Sequence, residues 1–124
     1  MRLLYAEDEA AMSEAVADIL TYHKYDVDTV DNGADALAYA REGGYDGIIL
    51  DIMMPGMDGM EATRRIRADG RFDRLPIIAI TAKAMKDDQE QCLAAGANDY
   101  LAKPIDLSRL YSLLRVWMPT LERI

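Results

Sequence analysis

Five short runs of branched apolar residues alternate along this chain with five amphipathic stretches of helical spacing, and no long linker separates them. The runs are Leu3 to Ala6, Val27 to Val30, Gly47 to Ile52, Ile77 to Thr81 and Asp99 to Ala102, each read as a near-continuously apolar strand buried on both faces. The first helical stretch places Met12, Val16, Ile19 and Leu20 on one stripe. The others run from Ala34 to Glu42, Gly59 to Ala68, Asp87 to Ala95 and Leu107 to Trp117. Gly43-Gly44 and Gly96 stand where helix C-caps belong. Strands alternating with helices wind as right-handed βαβ units, so the chain is expected to form an α/β fold, a five-stranded parallel doubly wound sheet in strand order 2-1-3-4-5.

The size agrees with one such unit. With 124 residues, 51% of them hydrophobic, the chain can bury a single core without disulfides or a structural metal. Cys92 is the only cysteine, which excludes an intrachain disulfide and suits a reducing compartment. Pro119 is expected to stop the last helix, dividing the chain into a folded domain over 1–118 and a C-terminal tail over 119–124. Against 22 Asp and Glu stand 14 Lys and Arg, a net charge of −8 that repels a polyanion, so direct nucleic-acid binding is not expected. Apolar runs such as Ile77-Ile78-Ala79-Ile80 fall far short of the ~20 residues of a membrane span. Met1 to Ala6 leads straight into Glu7-Asp8-Glu9, unlike a secretory signal, and a cytoplasmic location is expected.

In a doubly wound sheet, ligands bind beyond the carboxyl ends of the strands, where strand order reverses. Those ends carry Glu7 and Asp8 after the first strand, Asp51 at the third, Thr81 at the fourth and Lys103-Pro104 after the fifth. With strands one and three adjacent, three carboxylates converge, and a divalent cation relieves their repulsion. Mg²⁺ suits such a set, taking one or two carboxylates and keeping several waters. Asp8 and Asp51 are the candidate direct ligands, the Met53 carbonyl is a third, and Glu7 acts mainly through water. Lys103 supplies a positive charge for Asp51 or a phosphoryl oxygen, and Thr81 supplies a hydroxyl donor. A carboxylate nucleophile, a charge-neutralising metal and two donors are the parts that phosphoryl transfer requires, with Asp51 as phosphoacceptor.

These residues, in this order, resemble the response-regulator receiver domain of two-component signalling over nearly the whole chain. The acidic pair is Glu7-Asp8, and the acceptor stretch runs Ile49-Leu50-Asp51-Ile52-Met53-Met54-Pro55-Gly56-Met57-Asp58-Gly59. The hydroxyl position is Thr81, and the Lys-Pro pair is Lys103-Pro104, at separations of 30 residues from Asp51 to Thr81 and 22 from Thr81 to Lys103. The first half, around Tyr45 to Asp51, is similar to transcription-factor receivers. The second, through Met85-Lys86, Cys92 to Gly96 and Ile105, is similar to receivers of hybrid histidine kinases.

The resemblance implies a flavodoxin-like (βα)5 fold and a switch that takes a phosphoryl group from a histidine kinase or a histidine phosphotransfer domain. The transfer depends on Mg²⁺, the group is slowly lost by self-dephosphorylation, and the domain is not an enzyme in the usual sense. It further implies that the Ala82 amide joins Thr81 and Lys103 on the phosphoryl oxygens and that Tyr100 rotates inward behind Thr81. The Lys103-Pro104 bond is implied to be cis, and Met53 and Lys83 to tune the phosphoryl lifetime. An output domain, or self-association through the fourth and fifth helices, would read the change.

Other readings stand beside this one. Glu7-Asp8-Glu9 also suits the opening turn of a helix, Thr81 a capping position, and Tyr100 a packed aromatic. His23 has no ligand partners in the sequence and is read as surface. A Mg²⁺-dependent phosphoester hydrolase would use the same nucleophile but commonly needs an acid two residues on, where Met53 stands. A flavin domain would need a glycine- and hydroxyl-rich loop in place of Glu7-Asp8-Glu9-Ala10. A structural receiver that no longer takes phosphate would have lost site positions that are all filled here.

Overall fold

The computed structural model describes residues 1–82 and 86–117. Strands β1 (Arg2–Ala6), β2 (Asp26–Val30), β3 (Gly47–Asp51), β4 (Ile77–Thr81) and β5 (Asp99–Ala102) alternate with helices α1 (Ala10–Tyr22), α2 (Gly33–Glu42), α3 (Gly59–Ala68), α4 (Lys86–Ala95) and α5 (Leu107–Trp117). All strand pairs are parallel and their order is β2-β1-β3-β4-β5. This is the flavodoxin-like doubly wound arrangement. The boundaries follow the periodicity to within a residue at most ends. A 3₁₀ turn at Gly70–Phe72, anchored by Asp69 accepting from the Arg71 N–H at 3.1 Å, has no apolar period to announce it.

Alternation along each strand divides the core into two layers. Leu4, Ala6, Ile48, Leu50, Ile77 and Ala79 face α2, α3 and α4, where they meet residues such as Leu37, Ala62 and Ile66. Leu3, Tyr5, Ile49, Ile78, Ile80 and Leu101 face α1 and α5, against Val16, Leu20, Leu110 and Leu114. Each such buried aliphatic contributes about 1.5–3 kcal/mol, so the central strands anchor the fold.

One expectation is corrected at β2. Rather than being buried on both faces, Asp26 and Thr29 are exposed and only Val30 is buried. The reason is topological: β2 pairs with β1 alone and forms the sheet edge, where polar residues are tolerated and protect against stray pairing. A second correction concerns His23. It is half-buried and stacks on Tyr111 of α5 with ring centroids 4.3 Å apart, so it seals the α1–α5 seam.

Turn chemistry sets the helix entries. Asn32 accepts from the Asp35 N–H at 2.8 Å and Asp58 from the Glu61 N–H at 2.9 Å, capping α2 and α3. Gly43, Gly44 and Gly96 have positive φ after α2 and α4, as their C-cap placement requires. The expected boundary between 118 and 119, and with it the tail, falls outside the described residues, as does Lys83.

Candidate functional site

The parallel register brings the carboxyl ends of β1, β3, β4 and β5 to one edge. Asp51 lies beside Ile80, and Thr81 beside Ala102. The Glu7 N–H donates to the Val30 carbonyl at 3.0 Å, so the ladder persists one residue past β1 and carries Glu7 inward. Glu7 is 1% exposed and Asp51 is 0% exposed, whereas Asp8 is exposed. Glu9 occupies the N-cap position of α1 without a side-chain capping bond, so the acidic run is not there to open the helix. Its N–H instead donates to Glu7 Oε2 at 3.3 Å.

A ligand oxygen from each of Glu7, Asp8 and Asp51 lies within 4.8 Å of the others. Lys103 reaches into this group, with Nζ 2.7 Å from Asp51 Oδ2 and 3.3 Å from Glu7 Oε1. Asp51 Oδ1 accepts from the Met53 N–H at 2.9 Å, which folds the chain after β3 over the carboxylate. Gly59 at the start of α3 abuts the Asp51 carbonyl and the Ile52 Cα so closely that any side chain would strike them. A glycine here lets α3 begin directly behind the carboxylate.

One lysine against three carboxylates leaves net negative charge in a buried place, and the titration of Glu7 reflects it. Burial, then the hydrogen bond and charge of Asp51, push the Glu7 carboxyl up to about 7, against the Glu9 N–H and Lys103. For Lys103, burial works against the charged form, but the hydrogen bond and charge of Asp51, with Glu7 behind it, hold the ammonium above its ordinary value. The donor set is all oxygen, partly buried and in charge excess. It fits a hard divalent cation, which the carboxylates of Glu7, Asp8 and Asp51 could hold.

The remaining predicted residues surround this group. Thr81 is fully buried and its Oγ1 donates to the Leu101 carbonyl at 3.4 Å, toward β5. The Lys103 N–H donates to the Thr81 carbonyl at 2.8 Å, tying the exit of β5 to the end of β4. The Lys103-Pro104 peptide bond is cis. Tyr100 is half-buried and packs on the α2–α3–α4 core layer, while Ala82 and Met53 are exposed. A cleft of about 550 Å³ opens beside the carboxylates between α1, the end of β2 and α2, lined by Glu7, Asp8, Glu14, Asp18, Asp31 and Asp35 among others. Such a lining repels phosphate, so the flavin alternative has no place there.

One residue the sequence reading passes over is Tyr5. Its hydroxyl is fully buried and lies in the field of Glu7 and Asp51; burial first, then those charges, hold its pKa above the ordinary phenol value and keep it protonated. The available signal was a phenol in an otherwise aliphatic strand, two positions before Glu7.

Comparison with known proteins agrees with this geometry. The chain is 39% identical over 115 residues to the transcriptional regulatory protein TcrA of Mycobacterium tuberculosis, a match covering 93% of this chain and 45% of the relative. It spans about half the length of the curated relatives it matches. Among solved structures, it is 40% identical to the receiver domain of the sensor histidine kinase PA1611 from Pseudomonas aeruginosa PAO1. That superposition has a TM-score of 0.87 and covers 94% of this chain and 95% of the other, whose active site cleft coordinates a magnesium ion. It is also similar to the Saccharomyces cerevisiae response regulator Ssk1 receiver domain, crystallised with the histidine phosphotransfer protein Ypd1. There the identity is 28%, the TM-score 0.89, and coverage 94% of this chain and 88% of the other. The family model for the response regulator receiver domain matches residues 3–115, and the chain belongs to that family.

Proposed function

We propose that this domain is a phosphorylation-controlled switch in which Asp51 accepts a phosphoryl group from a phosphohistidine of a histidine kinase or a histidine phosphotransfer protein. The observation that carries this reading is the buried Asp51 carboxylate, held by Lys103 at 2.7 Å within a cluster of three carboxylates. Burying even a paired charge costs desolvation that the ion pair often fails to repay, and a fold that only needed stability would place apolar residues there.

A carboxylate oxygen of Asp51 attacks phosphorus, and the P–N bond of the donor breaks with its electron pair returning to the imidazole. The product is an acyl phosphate. Bound Mg²⁺ would neutralise phosphoryl oxygen charge, held by Asp8, Asp51 and the Met53 carbonyl. Lys103 follows the charge from the carboxylate to the new oxygens. The Thr81 hydroxyl and the Ala82 N–H supply further donors. The bond from Thr81 to the Leu101 carbonyl is long at 3.4 Å, and a charged phosphoryl oxygen is a stronger acceptor for the hydroxyl. Tyr100 then rotates inward behind Thr81. Attack of water on phosphorus breaks the P–O bond to Asp51, releases inorganic phosphate and restores the carboxylate, at a rate that Met53 and Lys83 tune.

The readout surface is α4, β5 and α5, where Leu93, Val116 and Trp117 remain exposed apolar groups. It would engage an output domain or a second copy. A cytoplasmic setting suits a kinase donor, and no described helix is long and apolar enough to cross a membrane. The exposed Met53 side chain offers no acid to a leaving group, which counts against a phosphoester hydrolase.

Intact mass after incubation with acetyl phosphate tests this reading. The wild-type chain should gain one phosphoryl group only with Mg²⁺ present, and Asp51→Asn should gain none while unfolding within a few degrees of wild type. An adduct at wild-type yield in the variant would sink the assignment.

A further inference from the structure

Tyr5 and Glu7 lie two residues apart and so point to the same side of the first strand. The Tyr5 ring fills the α1–α5 layer beside Leu3, Ile49 and Ile78, and the residue is 0% exposed. Packing accounts for the ring but not for the oxygen. The hydroxyl closes no well-formed hydrogen bond, and neither does Glu7 Oε1, whose ion-pair partner Lys103 lies at 3.3 Å. Both oxygens are buried, and the phenol lies in the field of Glu7 and Asp51. Phenylalanine would fill the same space without leaving a polar atom unmet, so the phenol is costly to retain for stability alone.

The hydrogen bond that Glu7 shares with Asp51 needs a proton and is lost when the cluster ionises, and its other contacts are long: 3.3 Å from the Glu9 N–H and 3.4 Å from Lys103 to Oε2. None of them fixes its terminal torsion, which is soft for a glutamate. A phenolic O–H is a neutral donor whose position is set by a rigid ring held in the core. We infer that Tyr5 is a positioning residue of the cation site, its buried hydroxyl donating to Glu7 once the cluster ionises around a divalent cation and holding that carboxylate in the orientation the site needs. The inference rests on the reading of the cluster as the Mg²⁺ site of a phosphoacceptor.

Calorimetric titration with Mg²⁺ at fixed pH and ionic strength tests it, comparing wild type with Tyr5→Phe. The variant should bind Mg²⁺ about tenfold more weakly, the size of one hydrogen bond to a charged group. Its metal-free form should unfold at the same or a higher temperature, because an unmet polar atom is gone. In wild type labelled with ¹³C-tyrosine, the Tyr5 Cζ resonance should move as Mg²⁺ saturates the site. An affinity unchanged within twofold overturns the inference and leaves the phosphoacceptor reading standing, provided wild type binds Mg²⁺ and takes acetyl phosphate. If Tyr5→Phe fails to fold, the wild-type Cζ resonance decides: a shift supports the positioning role and a fixed resonance overturns it. A wild-type chain that binds no Mg²⁺ overturns both.

Discussion

Replacing Glu7 by glutamine keeps the side chain's shape and removes its charge from the most crowded point of the site. In the folded, metal-free protein, burial and the neighbouring Asp51 raise the Glu7 carboxyl from its ordinary 4.5 to about 7. Between those values the folded chain holds this proton more tightly than the unfolded chain does. Stability from this group is therefore fully present below about pH 4.5 and is lost as the pH rises through about 7. At 1.36 kcal/mol per unit, the full loss is about 3 kcal/mol. Glutamine resembles the protonated form and does not titrate. The attraction of the Glu7 carboxylate to Lys103 at 3.3 Å is already contained in the Glu7 value of about 7. Glu7→Gln should thus match wild type near pH 4.5 and exceed it by about 3 kcal/mol near pH 8. Urea unfolding in chelator at a series of pH values measures both proteins, and subtraction cancels every other titrating group. Saturating Mg²⁺ should narrow the gap, because the cation favours the ionised wild-type cluster. A difference that stays flat with pH, or that falls, would refute the argument that burial beside Asp51 strains Glu7.

Two further outcomes follow from the contacts. Lys103→Ala leaves the buried Asp51 and Glu7 without their cation and should cost about 3 kcal/mol in metal-free urea unfolding. It should still bind Mg²⁺, yet amide shifts at Thr81 and Tyr100 on phosphorylation should shrink; shifts of wild-type size would count against its role in switching. Arg67 donates to the Gly96 carbonyl at 2.8 Å, the Phe72 carbonyl at 2.6 Å and Asn98 Oδ1 at 2.8 Å, joining α3 to the end of α4 and the start of β5. Arg67→Ala should lose about 3 kcal/mol of stability with the yield of Mg²⁺-dependent phosphorylation unchanged, and a loss below about 1 kcal/mol would show that those carbonyls find water instead.

Much of this was readable from residue order because the period of apolar residues differs between strands and helices. Five runs of one period alternating with five of the other leave a parallel sheet as the economical solution, and the placement of Asp51, Thr81 and Lys103 at run ends follows from it. Where the reading failed, a neighbour outside the local window decided. Asp26 and Thr29 are exposed because β2 has a partner on one side only, and His23 is covered because α5 brings Tyr111 over it.

The same division runs through the site. Which residues belong to it was set by sequence alone, since a carboxylate interrupting a buried strand and a Lys-Pro pair after another are local facts about residue type and spacing. How they act on each other was decided by tertiary structure. Lys103 stands 52 residues from Asp51 and 96 from Glu7, and only the gathering of the carboxyl ends of parallel strands β1, β3 and β5 puts its ammonium within reach of both. The rise in Glu7, the orientation of Thr81 toward Leu101 and the buried hydroxyl of Tyr5 depend likewise on distances of a few ångströms between distant segments. Electrostatic and hydrogen-bond energies vary steeply over such distances, and residue spacing carries no information about them.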